Sequence, residues 1–303
     1  MLKEQTLDRG VVDKEAMAIA RIREFEPAAL QKDDRGYYVC DSGGKDSLVI
    51  THLTYQAGVK FDIHHNHTTA DHPETVRYVR RMAQYWRDKG IDYYIEKPRY
   101  MGDPTSMGKL ISEKGLPTRI RRWCCKVLKE GGGEGRAVIT GVRRAESVNR
   151  RDKAIAETMA SRKEDKIIIK NNDNDNCRNM LELCPTYRKI TVNPIVDWQD
   201  DDVWEYIRQY NLPYNPLYDR GSHRVGCIGC PIIKSAELLA QPEYYKLYEH
   251  AAQRFLDNHP YLFDKYGWKD AGDMMRWWLS GVSVNDTIKG QISMWEDKEE
   301  LSN

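Results

Sequence analysis

The sequence predicts an α/β fold with a doubly wound, mostly parallel sheet and a helical region toward its C-terminal end. Three observations support this class: short apolar runs bounded by turn residues, amphipathic stretches with helical spacing between them, and a glycine-rich turn after the first run. Strands that alternate with helices are typical of parallel sheets, because a parallel connection needs a long crossover. We therefore expect strand–helix units to repeat along the chain.

The first unit begins with a helical stretch over residues 12–33, followed by the run GYYVC, which ends at Cys40 and is predicted to be a buried strand. A glycine-rich turn, DSGGKDS, then runs from Asp41 to Ser47. The apolar spacing after this turn predicts a helix that ends at Gly58, since glycine favours the left-handed conformation that terminates helices.

Three further strands are predicted. FDIHHN is the second strand, and the helix after it carries an apolar face of Val76, Val79, Met82 and Trp86. IDYYIE is the third strand, and AVITG, which follows the glycine linker GGGEG, is the fourth. The sheet is thus expected to be assembled from these four segments.

The pattern is interrupted over about residues 150–190, which we interpret as an insertion containing one short strand candidate, KIIIK. The order returns at NPIVDW, and Asp200 is predicted to be the N-cap of the next helix. After about residue 235 the sequence is helical in pattern and rich in aromatic residues. We predict an α/β domain over residues 1–235 and a C-terminal helical region over 236–303.

Composition excludes several classes. Lys and Arg total 47 against 46 for Asp and Glu, so the net charge of +1 provides no overall field for nucleic acid or an anionic membrane. The chain contains no apolar run long enough to span a membrane, and its first residues lack a secretory apolar core, so a cytoplasmic location is expected. In that compartment its seven cysteines point to metal or redox chemistry rather than to disulfides.

The glycine-rich turn is the strongest local signal. A strand that leads through glycines into a helix N-terminus presents backbone N–H groups to an anion, and phosphate is the natural ligand. Hydroxyls can add hydrogen bonds, Lys45 a positive charge, and Asp46 a ligand for Mg²⁺. The alternative is an ordinary strand-to-helix turn. The residues predicted to form the phosphate site are Ser42, Gly43, Gly44, Lys45, Asp46 and Ser47.

Four cysteines form the second constellation. Cys124 and Cys125 are adjacent, and Cys227 and Cys230 are separated by two residues, so together they supply the four thiolates that a 4Fe-4S cluster or a zinc ion requires. Adjacent cysteines suit the separate iron corners of a cluster better than one small ion. Structural zinc and unliganded buried thiols are the alternatives. Five cations flank the first pair: Arg119, Arg121, Arg122, Lys126 and Lys129.

These motifs resemble those of the phosphoadenosine phosphosulfate (PAPS) reductase family of PP-loop ATP pyrophosphatase-like proteins. SGGKDS resembles the family's phosphate loop, and the two cysteine pairs resemble the ligands of its iron–sulfur members. GVRRAESVNR, residues 141–150, resembles the arginine motif, and residues 198–230 resemble the segment that joins the nucleotide site to the second cysteine pair. The resemblance covers about residues 37–233.

The resemblance implies an adenine nucleotide alpha hydrolase-like fold that binds ATP or a sulfated adenylate across the carboxyl ends of the strands, with Mg²⁺ and a 4Fe-4S cluster as cofactors. It implies catalytic roles for Lys45, Asp46 and the two arginines Arg143 and Arg144. The further residues that it places around the nucleotide are Thr68, Thr69, Glu74, Gly141 and Ser147.

One departure bears on activity. The reductases that this chain resembles use a nucleophilic cysteine near the C-terminus, and no cysteine follows Cys230 in this sequence. Cluster-bearing relatives without it include sulfur-transfer proteins of DNA phosphorothioation, which implies cleavage of ATP to AMP and pyrophosphate to activate an acceptor. The implied partners are a sulfur donor such as a cysteine desulfurase and a DNA or RNA acceptor. A sulfonucleotide reductase with an external thiol and a non-catalytic nucleotide-binding subunit stay open, as does the oligomeric state.

Overall fold

The computed structural model describes residues 2–6, 10–146, 153–159, 168–169, 189–232 and 236–281. It divides into two compact units that each draw on several segments of the chain. The first unit comprises Met1–Asn66, Pro73–Glu96 and Gly132–Val225, and the second comprises His67–His72, Lys97–Gly131 and Gly226–Asn303. Ser147, Cys177 and Cys184 lie outside the described residues.

The first unit contains a seven-stranded sheet. Its central strands follow the predicted runs closely, and each begins or ends within one or two residues of the predicted segment. In chain order the strands of the sheet are β3 (Tyr37–Cys40), β4 (Phe61–Asn66), β5 (Tyr93–Glu96), β8 (Ala137–Ile139), β9 (Ala156–Met159), β10 (Ile168–Ile169) and β11 (Lys189–Val192). A separate hairpin is formed by β1 (Lys3–Thr6) and β2 (Gly10–Asp13).

The order of the strands across the sheet is β10, β9, β11, β8, β3, β4, β5. The strands from β11 to β5 are parallel, whereas β9 and β10 are antiparallel to their neighbours. The chain leaves β3 toward β4 and β5 and later returns on the other side of β3 as β8. This reversal confirms the predicted α/β class, and the crevice beside such a switch point is where open α/β sheets bind ligands.

Among the described residues, five helices belong to the first unit: α1 (Lys14–Glu24), α2 (Glu26–Lys32), α3 (Lys45–Ala57), α4 (Pro73–Arg87) and α7 (Asp200–Gln209). The single helix predicted over residues 12–33 is in fact two, because Pro27 in the first turn of α2 cannot continue α1. The predicted insertion contributes β9 and β10 to the main sheet, and KIIIK supplies β10.

The prediction that Asp200 caps α7 is wrong. Gln199 is the N-cap, and its backbone N–H donates to the carboxylate of Asp202 in a capping box. Asp202 is fully buried and also accepts a hydrogen bond from the Lys14 ammonium at 2.8 Å. The start of α7 is therefore fixed by Asp202, and Asp200 lies inside the first turn with its side chain available for other contacts.

The second unit consists of a short hairpin and helices. The hairpin pairs β6 (Arg99–Tyr100) with β7 (Asp103–Pro104). The helices are α5 (Met107–Lys114), α6 (Trp123–Leu128), α8 (Ala236–Leu239), α9 (Pro242–Asp257), α10 (Tyr261–Tyr266) and α11 (Ala271–Ser280). Leu110 of α5, Tyr248 and Ala252 of α9 and Met275 of α11 are fully buried in one apolar cluster. Of the cysteines of α6, Cys124 is buried in this cluster and Cys125 is partly buried against it.

This division differs from the domain boundary that the sequence predicts at about residue 235. Both cysteine pairs belong with the C-terminal helices rather than with the parallel sheet. The reason is packing: Cys124 and Cys227 are buried in the apolar cluster of α5, α9 and α11. Within the described residues, no helix is both long and apolar enough to cross a membrane.

A buried ion pair ties the strands of the first unit together. The Arg136 guanidinium, just before β8, contacts the Asp62 carboxylate of β4 at 2.7 Å and donates to the carbonyl of Gly36 at 3.0 Å. Arg136 and Asp62 are 4% and 3% exposed, so neither charge is compensated by water. Arg136 precedes β8 and contacts both β4 and the residue before β3. The ion pair therefore helps to fix the positions of these three strands relative to one another.

We expect Arg136→Met to lower the free energy of unfolding by about 3 kcal/mol, because removal of one partner leaves the Asp62 charge buried. Arg35→Met is the matched control, since Arg35 approaches Asp62 at 3.7 Å from a side chain that is 54% exposed, and it should cost at most about 1 kcal/mol. Urea unfolding followed by circular dichroism measures both. Equal losses in the two variants would contradict the structural role of Arg136.

Candidate functional site

The predicted phosphate loop follows β3 and leads into α3. Gly43 has a φ of 74°, and a Cβ atom there would lie 2.9 Å from the Thr75 side chain, so only glycine fits. Gly44 is the N-cap of α3 and supplies no side-chain cap, which leaves the first turn of the helix without the usual capping group. The loop therefore has the backbone form that the sequence predicts for an anion cradle.

The loop is held in shape by Asp41. Its carboxylate accepts hydrogen bonds from the backbone N–H of Gly43 at 2.7 Å and from the Ser47 hydroxyl at 2.8 Å, and the Tyr93 hydroxyl also donates to it. The Ser42 hydroxyl lies 3.2 Å from that of Ser47. Asp41 thus organises the loop, a role that the sequence reading did not assign to it.

Two cations and two carboxylates meet beside the loop, and we call Lys45, Asp46, Arg143 and Asp200 the charge square. The Lys45 ammonium lies 3.3 Å from the Asp46 carboxylate and 2.9 Å from that of Asp200. The Arg143 guanidinium lies 2.6 Å from Asp46 and 2.9 Å from Asp200. Each cation contacts both carboxylates.

The pKa shifts in the charge square follow from these contacts. Burial works against the positive charge of Lys45 and of Arg143, but the carboxylates of Asp46 and Asp200 outweigh it and raise both pKa values. Burial also works against the charge of Asp200, but hydrogen bonding to Lys45 outweighs it and lowers the pKa of this carboxyl. Lys45 and Asp200 therefore favour each other's charged forms.

The strand order explains why these residues meet. Lys45 and Asp46 follow β3, and Arg143 follows β8, the strand that pairs with β3 in parallel. The carboxyl ends of adjacent parallel strands lie at the same edge of the sheet. Gly141 allows the β8 loop to approach, because a Cβ atom there would lie 3.0 Å from the backbone of Asp46. The structure thus brings Arg143, one of the two arginines predicted to reach toward phosphate, beside the SGGKDS loop.

Arg144 is not part of the charge square. Its guanidinium donates to the backbone carbonyl of Lys153 at 2.9 Å, and its backbone N–H donates to the carbonyl of Val196. Arg143 and Arg144 diverge because they stand at the start of a short 3₁₀ turn, Arg144–Glu146. Of the two arginines offered by the sequence, Arg143 is the one beside the loop.

Two residues that the sequence reading missed support the loop. The hydroxyl of Tyr218 accepts a hydrogen bond from the backbone N–H of Lys45 at 3.0 Å, and Asn215 donates to the carbonyl of Gly43 at 3.1 Å. Both belong to the proline-rich segment PYNPLY, whose polar side chains at NPLY were the available signal. Asp200 was missed as an ion-pair partner because it was interpreted as a cap.

The residues predicted around the nucleoside fall into different units. Glu74, in the first turn of α4, contacts Arg77 at 2.6 Å and Arg220 at 3.2 Å. Thr68 and Thr69 belong to the second unit. The Thr68 hydroxyl lies 3.3 Å from the sulfur of Cys227, and the Thr69 hydroxyl accepts from the backbone N–H of Met107. In the structure these threonines therefore contact the cysteine segments and α5.

The four predicted cysteine ligands line one pocket of the second unit, with a cavity volume of about 30 Å³. Cys124 and Cys125 lie on α6, and Cys227 and Cys230 lie at the two ends of a tight turn. Gly229 in this turn has a φ of 69°, and a Cβ atom there would lie 2.7 Å from the Tyr248 ring. The remaining lining residues are Thr68, Met107, Pro117, Leu128, Lys129, Gly229 and Pro231.

The pKa values of the cysteines separate within this pocket. A hydrogen bond from the Cys124 thiol, aided by Lys129 and Arg122, lowers the pKa of Cys125 to about 6 and raises that of Cys124. Burial raises the pKa of Cys227. Without a bound group, several thiolates would repel one another here, so a cation or a metal cluster is needed to hold all four in the charged form.

The donor set fits a four-thiolate cofactor. All four sulfur-bearing residues line one pocket with mostly apolar walls, and none of the five described cysteines forms a disulfide. The fifth, Cys40, ends β3 in the first unit and is half-buried. The chemistry of the site is therefore compatible with a 4Fe-4S cluster, and it is equally compatible with zinc.

Comparison with known proteins agrees with this geometry. The model of the phosphoadenosine phosphosulfate reductase domain matches residues 37–232. The chain is similar to adenosine 5'-phosphosulfate reductase of Oceanobacillus iheyensis, at 33% identity over 64% of this chain and 70% of that protein. It is also similar to two uncharacterized proteins of Methanocaldococcus jannaschii, at 28% and 27% identity over 83% and 84% of this chain.

This chain spans 48% and 60% of the length of those two archaeal relatives. Among solved structures it is similar to PAPS reductase from Candida auris, with a TM-score of 0.43 and 20% identity over 69% of this chain and 93% of that one. The family match covers more than half of the chain and includes the phosphate loop, Arg143 and all four pocket cysteines. The chain belongs to the phosphoadenosine phosphosulfate reductase family.

Proposed function

We propose that the chain binds an adenine nucleotide at the SGGKDS loop and cleaves ATP to AMP and pyrophosphate, which activates an acceptor for sulfur transfer. The observation that carries this proposal is the meeting of Lys45, Asp46 and Arg143 beside the loop. Two cations suit the charge of a polyphosphate, and a carboxylate beside them suits Mg²⁺. Reduction of a sulfated adenylate requires no metal at a carboxylate, so Asp46 favours ATP.

In the proposed reaction, an oxygen of the acceptor attacks the α-phosphorus of ATP, and the bond from that phosphorus to the oxygen bridging to the β-phosphate breaks. This step gives an adenylated acceptor and pyrophosphate, and a sulfur nucleophile from the donor then displaces AMP from the acceptor. In the first step, charge grows on the departing pyrophosphate. Lys45 and Arg143 stabilise that charge, and the backbone N–H groups at the start of α3 orient the phosphates. Asp46 would hold the magnesium ion, which supplies further neutralisation of the phosphates when bound.

The pocket cysteines would hold a 4Fe-4S cluster, which supplies electrons or a sulfide when bound. Thr68 and Lys129 line the same pocket and would orient the sulfur ligands and offset their charge. A sulfur donor such as a cysteine desulfurase and a DNA or RNA acceptor are the partners that this function would require. Their identities are part of the proposal.

A sulfonucleotide reductase that uses an external thiol is the second candidate. The similarity to adenosine 5'-phosphosulfate reductases favours it. It would need an external thiol because the four pocket cysteines would be occupied by the cofactor, and no other described cysteine belongs to the second unit. A non-catalytic nucleotide-binding subunit is the third candidate, and it would bind nucleotide tightly without turnover.

We expect Lys45→Ala to reduce magnesium-dependent release of pyrophosphate from ATP by a factor of about 100 or more, because it removes a cation from the departing phosphates. Lys60→Ala is the matched control, since Lys60 is an exposed lysine of the same unit, and it should leave the rate unchanged. Asp46→Asn should raise the magnesium concentration required for half-maximal rate. A coupled pyrophosphate assay with anaerobically purified chain measures all three variants.

A wild-type chain that releases sulfite from a sulfated adenylate and dithiol, while leaving ATP intact, would replace the first candidate with the reductase. Tight binding of ATP with neither product would favour the non-catalytic subunit. In both cases Lys45→Ala should still weaken nucleotide binding, because all three candidate functions place the nucleotide's phosphates at this loop. Loss of turnover in Lys60→Ala would show that a lower rate reflects general damage to the protein, so that the loss in Lys45→Ala could not be assigned to a phosphate contact.

For the second site, we expect the anaerobically purified chain to contain about four irons and to absorb visible light. Cys124→Ser and Cys227→Ser should each remove most of the iron, since each deletes one of the four thiolates. Cys40→Ser is the matched control and should retain it, because Cys40 belongs to the first unit. Elemental analysis measures the iron and zinc content of the wild type and of each variant. A colourless chain with one zinc would contradict the cluster assignment.

A further inference from the structure

Asp200 contacts both cations of the charge square. Its carboxylate oxygen Oδ1 lies 2.9 Å from the Lys45 ammonium and 2.9 Å from the Arg143 guanidinium. These are the two groups to which the proposed function assigns the nucleotide's phosphates. A single carboxylate oxygen between two cations makes the same contacts that a phosphate oxygen would make.

A second group from the same part of the chain occupies a backbone donor of the loop. The Tyr218 hydroxyl accepts a hydrogen bond from the N–H of Lys45 at 3.0 Å. That N–H stands in the first turn of α3, where it would otherwise point to an anion. The Asp200 carboxylate therefore pairs with the charges of Lys45 and Arg143, and the Tyr218 hydroxyl satisfies the backbone N–H of Lys45.

We propose that Asp200 is an internal competitor of the nucleotide's phosphates: its carboxylate makes the contacts to Lys45 and Arg143 that a phosphate would make, and it must release both before a phosphate binds. This inference rests on the proposed role of the loop as a phosphate site. Two cations and two carboxylates leave the charge square with no net charge. Release of Asp200 leaves one net positive charge facing the incoming phosphate.

The local structure permits that release without movement of the helix. The Asp200 side chain is 59% exposed, so its carboxylate can regain water when it leaves the cations. The start of α7 is fixed instead by Asp202, which is fully buried, caps the backbone of Gln199 and pairs with Lys14. A side-chain rotation at Asp200 is therefore sufficient, and the helix keeps its first turn.

Competition of this kind weakens the binding of every anion at the loop by the same factor. An anion gains the two cations only by displacing a carboxylate that already contacts both of them. A singly charged anion exchanges one ion pair for another with little gain, whereas a polyphosphate brings several charges and can contact the loop as well. After the common penalty, a polyphosphate therefore keeps useful affinity and a singly charged anion does not.

The test compares Asp200→Asn with Asp201→Asn. Asparagine keeps the size of aspartate and removes the charge, and Asp201 is an exposed neighbour on the same turn that makes no ion pair within the described part of the chain. Both variants change the net charge and the charge near the N-terminus of α7 by the same amount. Titration calorimetry with pyrophosphate and with ADP, in buffer that contains a metal chelator, measures the dissociation constants.

We expect Asp200→Asn to bind pyrophosphate about five times more tightly than wild type or better, which corresponds to the loss of a modest ion pair. Asp201→Asn should differ from wild type by less than about a factor of two, since screened charges at a distance contribute little. Weaker or unchanged binding in Asp200→Asn would overturn the inference, because a competitor cannot be removed without effect. Equal tightening in both variants would also overturn it and would indicate a general effect of charge.

The experiment separates this inference from the proposed function. If wild type releases pyrophosphate from ATP and Asp200→Asn shows no gain in affinity, only the role of Asp200 fails. If Asp200→Asn tightens pyrophosphate binding and no chain releases pyrophosphate from ATP, the competitor stands and the proposed activity fails. If neither chain binds pyrophosphate, the phosphate assignment of the loop fails, and the inference fails with it.

Discussion

The ion pairs between two cations and two carboxylates beside the phosphate loop are the interaction on which the site of the first unit depends. Lys45 and Asp46 follow β3, whereas Arg143 follows β8, and these strands are neighbours only because the chain reverses its direction across the sheet at β3. Burial of these charges would be costly if they were not paired. The fold and the site are therefore coupled, since the strand order that makes the sheet doubly wound also brings the charges together.

The cysteine site has a different physical basis. Its four residues come from α6 and from a tight turn, and apolar packing in the second unit holds them around one pocket. Thiolates gathered in an apolar pocket repel one another unless a bound group compensates them. Each site is thus contained within one unit, and the family match spans the residues of both. The proposed sulfur transfer would use both sites, the loop for the nucleotide and the four-cysteine pocket for the cofactor.

Much of the fold could be predicted because its signals are local. Apolar runs bounded by turn residues identified β3, β4, β5 and β8, and the glycine pattern identified the loop. The contacts of Asp200, Tyr218 and Thr68 could not be predicted, because they join residues distant in sequence and each residue has a common local role as a cap, a core aromatic or a pocket hydroxyl. The two compact units differ from the predicted boundary for a similar reason: the cysteine segments interrupt the parallel-sheet sequence but pack with the C-terminal helices.

Hydrogen–deuterium exchange of the chain with and without ADP tests the central claim most directly, because it locates the nucleotide whatever reaction follows. If the loop cradles the phosphates, the amides of residues 42–47 should exchange more slowly when ADP is bound, and adenosine, which lacks phosphate, should give no such protection. Binding of ADP without protection of this loop would contradict the account. It would mean that the phosphates are held elsewhere and that the charge square serves only to stabilise the fold.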